Sequence, residues 1–250
     1  MIGRYYSATQ LGQYTRAEQF STIFSSNLTS VVQRVSYPVL SSIQEEPERL
    51  RDAYRKIIKV TMLITFALMF GLAAIAKPLI VILIGEKWLM AVPFLQIICF
   101  SEMLYPLHAI NLNILQVRGY SGLFLKLEIV KKIIAVIPIM IGIFWGINYM
   151  LWGAVCISLV SYILNSYYSG RLIDYSTVKQ VKDIFPCFLV SSLVALLMWG
   201  ITFLHFNFLV TLLLQVSVGI LLAIVAYERM RLEEYKEIRR IILSIIRKNS

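Results

Sequence analysis

The sequence predicts an all-α membrane protein, a polytopic bundle of about seven transmembrane helices. Three observations lead there. Two stretches, Ile133 to Gly170 and Ile184 to Tyr227, contain no Asp, Glu, Lys or Arg. Each runs to roughly 40 residues, about twice the ~20 apolar residues that cross a bilayer core, so each reads as two spans joined by a tight hairpin. The chain is 58% hydrophobic and only 15% charged, with a mean hydropathy of +0.73, which is more apolar surface than a water-soluble fold can cover. Long unbroken apolar runs also exclude the alternation of a barrel strand, and helices alone then satisfy the backbone in hydrocarbon.

Hydropathy places the spans at about Ala17 to Ile43, Lys59 to Ile84, Val92 to Val117, Leu127 to Gly146, Tyr149 to Tyr168, Ile184 to Leu204 and Phe208 to Tyr227. Connectors alternate in charge. Those after the first, third, fifth and seventh spans hold nineteen Lys and Arg residues, and the others hold only Lys87, with Lys77 nearby. The positive-inside rule puts the first set, and with it the carboxyl terminus, in the cytoplasm. Met1 is then expected outside, although MIGRYYSATQLGQYTRAEQF has no signal-peptide core. The first span is the least hydrophobic, with Glu18, Asn27, Gln33 and Arg34. Such a helix is expected to shelter against a partner chain or a preceding segment.

Four regions follow: a polar first membrane helix lining a cavity (1–44), a cytoplasmic basic connector (45–58), a six-span bundle (59–227) and a cytoplasmic amphipathic tail helix (228–250). In the tail, Leu232, Tyr235, Ile238, Ile241, Ile242 and Ile245 recur at helical spacing among basic residues, as in a helix lying on anionic lipid. Pro38, Pro78, Pro93, Pro106, Pro138 and Pro186 fall inside spans and are expected to bend them. The formal charge of +10 resides in short connectors, so the cationic residues read as membrane-surface groups and no nucleic-acid partner is expected. Cys99, Cys156 and Cys187 lack paired spacing and read as buried small hydrophobes, neither disulfides nor metal ligands.

Phosphate loops, GxSxG, HExxH and GxGxxG are all missing from the sequence, so neither catalysis nor a cofactor is expected. What remains is polar residues at membrane depth. Span three carries Glu102, His108 and Asn111, candidates for ion coupling, with Glu102 near the middle. A carboxyl kept neutral by burial, or paired with an Arg, is the structural alternative. On span one, Asn27, Ser30, Arg34 and Tyr37 recur on one face, with Gln33 beside them. This stripe suits a water-filled path for a polar or phosphorylated substrate, with the Arg34 guanidinium on a diphosphate. Arg34 is equally placed to snorkel to the cytoplasmic interface.

Gly3-Arg4-Tyr5-Tyr6, the Arg16 segment, Pro38 before a Ser-rich turn, Glu46-Pro47-Glu48-Arg49-Leu50 and AKPLIVILIGEKW from Ala76 to Trp88 resemble the carboxyl half of bacterial polysaccharide flippases. These belong to the multidrug, oligosaccharidyl-lipid and polysaccharide exporter superfamily. The resemblance implies one lobe of a two-lobe exporter of the inner membrane. It would move an undecaprenyl-diphosphate-linked oligosaccharide by alternating access, with an amino-terminal lobe as partner. Substrate-binding candidates are then Arg34, Asn27, Ser30, Gln33 and Arg16. A sodium- or proton-coupled drug antiporter of the same fold and a non-transporting scaffold are the alternatives.

Overall fold

The structure, a computed structural model, describes residues 7–230 and Tyr235. Among these residues it has helices and no strand: α1 (Ala8–Ser42), α2 (Pro47–Ile84), α3 (Ala91–Glu102), α4 (Tyr105–Val117), α5 (Ser121–Ile134), α6 (Val136–Trp145), α7 (Ile147–Leu172), α8 (Thr177–Gly200) and α9 (Phe208–Arg229). The tail helix expected over 228–250 and the Gly3–Tyr6 motif lie outside the described residues.

Seven rods result, because two of the expected spans are each broken in the middle. Span three is α3 and α4, interrupted at Met103 and Leu104; span four is α5 and α6, interrupted at Ala135. Among the described residues four helices, α2, α7, α8 (with the turn that follows it) and α9, are singly long and apolar enough to cross a membrane. The protein is a multi-pass membrane protein.

Prolines act in two ways. Pro38, Pro78 and Pro186 lie inside α1, α2 and α8, which continue through them. Pro93, Pro106 and Pro138 instead occupy the first turns of α3, α4 and α6, where an absent N–H leaves no intrahelical bond unmade. They start half-helices; they do not bend whole ones. Gly146, at φ 102°, reverses the chain between α6 and α7, a conformation that costs a glycine nothing.

The basic stretch expected as a connector over 45–58 is mostly helical: only residues 43–46 separate α1 from α2, and Pro47 opens α2. With 38 residues, α2 is about 57 Å long, well beyond a ~30 Å hydrocarbon core. Its first turns therefore project past the bilayer, held by a clasp. The Arg55 guanidinium donates to both Asp183 oxygens, at 2.5 and 2.8 Å, and the Tyr175 hydroxyl donates to the same carboxylate at 2.6 Å. Burial, reinforced by the bond to Asp183, raises the Tyr175 phenol above its ordinary pKa, so it remains a donor.

The core joins α2 to α8. Phe66 and Phe70 of α2 meet Phe188 of α8 at 5.3 and 5.1 Å, near-perpendicular to it, and Phe70 reaches Phe100 of α3 at 5.7 Å. Edge-to-face packing of this kind gains energy even where lipid has removed the hydrophobic drive. Cys99 and Cys187 are buried as expected, whereas Cys156 is exposed on α7, where lipid would cover an apolar side chain equally well.

Helix α1 is built the other way round. Its buried face is Gln13, Ala17, Ser21, Ser25, Thr29, Ser36 and Leu40, while Ile23, Val31 and Val35 are more than half exposed. Small side chains let α1 approach α3 and α4 closely, and several hydroxyls are satisfied within the helix: Thr15, Thr22 and Thr29 each donate to the carbonyl four residues back.

Candidate functional site

A polar cavity of about 770 Å³ opens between α1 and α5, floored by α3, α4 and α7. Ser30 and Gln33 of α1, Glu102 of α3 and His108 of α4 line it. The structure thus gathers four of the eight candidate residues in one place.

Glu102 is the last residue of α3, held where that helix stops. Its carboxylate accepts a hydrogen bond of 2.5 Å from the Ser25 hydroxyl, which ties α3 to α1. No Arg pairs with it among the described residues. His108 stands across the break, in the first turn of α4. Its Nε2 lies 3.3 Å from the Ser158 hydroxyl, its Nδ1 lies 3.5 Å from the Asn165 amide, and Ser158 itself donates to the Ser101 carbonyl at 2.9 Å. The discontinuity between α3 and α4 brings Glu102 and His108 onto one cavity, although six residues of straight helix would turn them apart.

Asn111 is elsewhere. It is fully buried, with its Oδ1 accepting from the Tyr54 hydroxyl at 2.8 Å and the Ser169 hydroxyl at 2.5 Å, and its Nδ2 donating to the Leu107 carbonyl at 2.9 Å. Both polar atoms are bonded, so the residue crosslinks α2, α4 and α7 and does not line this cavity. Asn113, two positions on, lines the cavity and donates to Ser36 at 2.9 Å.

The cations of α1 also lie outside the cavity. Arg34 is exposed, Asn27 is exposed with its amide donating to the Ile23 carbonyl at 2.7 Å, and Arg16 stacks over the Trp88 ring at 5.5 Å while bonding Gln19 at 2.9 Å. Arg16 and Arg34 are eighteen residues apart on one helix, about 27 Å, so they cannot hold the same group.

Sequence reasoning passed over the cations that do line the cavity, Lys131 and Lys132 of α5, together with Glu128. The charge pattern alone groups both lysines with the cytoplasmic connector. The available signal was distance: the turn before α5 ends at Tyr120, and Lys132 lies about 16 Å up the helix from Ser121, half a bilayer core away.

The profile of the family described as "Polysaccharide biosynthesis protein" matches residues 1–93. Teichuronic acid biosynthesis protein TuaB of Bacillus subtilis is 24% identical over 222 residues, which is 88% of this chain and 46% of that protein. Succinoglycan biosynthesis transport protein ExoT of Rhizobium meliloti is 30% identical over 102 residues, 41% of this chain and 21% of that protein. Among solved structures, the lipid II flippase MurJ in an inward closed conformation superposes with a TM-score of 0.64 at 16% identity, over 88% of this chain and 47% of that one. The chain spans less than half the length of each of these three. Its likeness to the bacterial polysaccharide exporters, read first from the residues, is borne out by these matches.

Proposed function

We propose that this chain supplies one lobe, the second, of a transporter that carries a lipid-linked oligosaccharide across the bacterial inner membrane by alternating access. The observation that carries this reading is the polar cavity at membrane depth, bordered by two broken spans. Discontinuous helices recur where transporters bind substrate, since irregular backbone is tolerated at membrane depth only beside a cavity. In this reading Ser30 and Gln33 pass hydroxyl groups of the sugar. Glu102, released from Ser25, is the coupling site, with His108 opposite. Asn27 and Arg34, exposed on α1, face the other lobe. The basic first turns of α2 sit in the cytoplasm, as does the carboxyl terminus, and both contact anionic lipid.

The test is reconstitution. Proteoliposomes holding the full transporter are loaded with a fluorescent undecaprenyl-diphosphate oligosaccharide, and appearance of the label in the opposite leaflet is followed by quenching. Transport that falls at least tenfold in Glu102→Gln supports the reading. Dye efflux in the absence of any lipid-oligosaccharide movement would instead favour the antiporter, and the absence of both would favour a scaffold.

A further inference from the structure

We propose that Lys132 binds an anionic group, carboxylate or phosphate, on a hydroxyl-rich ligand in the cavity between α1 and α5. This deepens the transport reading by naming the group that the lobe recognises.

Depth is the first argument. Lys131 and Lys132 lie about 16 Å along α5 from its cytoplasmic start, and Glu102 lies about 16 Å along α3 from its opposite start, so cations and carboxylate meet near the bilayer midplane. A lysine side chain cannot snorkel that far, and a mid-membrane ammonium is costly unless it serves a ligand or a partner. Lys131 has a partner: it is ion-paired with Glu128, one turn earlier. Lys132, which is exposed to the cavity, has none among the described residues. The pairing leaves one ammonium uncompensated on the α5 wall.

The second argument is polarisation of the cavity. The α5 wall carries Lys132, whereas the opposite wall carries the Glu102 carboxylate and the hydroxyls and amides of Ser26, Ser30 and Gln33. An anion entering is repelled by one wall and drawn to the other. Hydroxyl groups on the same ligand find acceptors and donors on the α1 wall. A volume of about 770 Å³ falls within the ~300–1,000 Å³ of ordinary ligand sites. The break after Ile134 places the carbonyl end of α5, with its partial negative charge, beside the lysines.

Calorimetric titration of the protein, purified from membranes in detergent, with three probes tests this. Trigalacturonic acid carries carboxylates, farnesyl diphosphate carries a diphosphate, and maltotriose is neutral. Lys132→Gln is expected to weaken one or both anionic probes about tenfold, the loss of a charge-assisted hydrogen bond, and to leave maltotriose within twofold. Which anionic probe is lost identifies the source of the charge. Glu128→Gln, which frees Lys131, is expected to tighten the same probe severalfold. Anionic probes that bind wild type but are indifferent to both substitutions would overturn the assignment of Lys132 alone. Failure of every probe to bind wild type would sink the transport reading as well. Thermal melting of each variant separates lost binding from lost fold.

Discussion

The molecule contains two kinds of interior. Around α2, α8 and α9 the helices are long and unbroken; α2 and α8 meet through aromatic rings, Phe66 and Phe70 against Phe188, while Gln215 of α9 donates to the carbonyls of Ala74 and Met198 at 3.5 and 3.0 Å. Around α1, α3, α4, α5 and α7 two spans are interrupted, and contact runs through Ser25 to Glu102, Ser36 to Asn113, and Ser158 to both His108 and Ser101. The first half is held mainly by ring packing, with the Arg55–Asp183 clasp and the Gln215 and Ser191–Tyr227 hydrogen bonds beside it, and the second by hydrogen bonds that border the cavity and can be exchanged for water or ligand. The transport proposed above would use both: a rigid body to lever against, and a wet surface whose interactions are weak enough to change partners.

That contrast can be broken at its strongest point first. Phe66→Ala in the aromatic half removes a side chain that is 1% exposed, and should lower stability by about 3 kcal/mol, read as a large fall in melting temperature in detergent. A loss under 1 kcal/mol would show the aromatic core to be loosely packed. Next is the crosslink at the boundary of the two halves. Asn111→Leu strands the Tyr54 and Ser169 hydroxyls in a buried place and should cost about 2 kcal/mol. Tyr54→Phe on that background should recover part of it, since one orphaned hydroxyl is gone.

Smaller effects sharpen the comparison. Asp183→Asn opens the clasp between α2 and α8, and because Arg55 is half exposed the loss should be about 1 kcal/mol. Ser25→Ala, in the wet half, should cost about 0.5 kcal/mol or less, because cavity water can replace the hydroxyl on Glu102. Measured melting temperatures ranked Phe66, Asn111, Asp183, Ser25 would support the division; a Ser25 variant as damaging as the Phe66 variant would erase it.

Much of this was legible in the chain. The two charge-free runs gave four spans and hydropathy all seven, which are the seven rods among the described residues. Glu102 and His108 were found as polar residues at depth, and both line the cavity. The α1 stripe shows where reading fails. Asn27, Ser30, Arg34 and Tyr37 do share a face, yet the face that packs is Ser21, Ser25, Thr29 and Ser36, because close approach selects small side chains and not the most polar ones. Asn111 and Asn113 are indistinguishable as letters, but one is saturated in the core and the other faces the cavity.

By itself the sequence determined the solvent of this protein, its helical class and the order of its spans, because transfer of apolar side chains and satisfaction of backbone groups are local, additive requirements. Only the tertiary structure decided which polar residues meet. The breaks at Met103–Leu104 and at Ala135 rotate half-helices relative to each other, so periodicity counted along an unbroken helix loses its phase there. Lys132 and Glu102, thirty positions apart, the one counted with a basic connector and the other placed mid-span, line one cavity because α3 and α5 both stop partway along their spans.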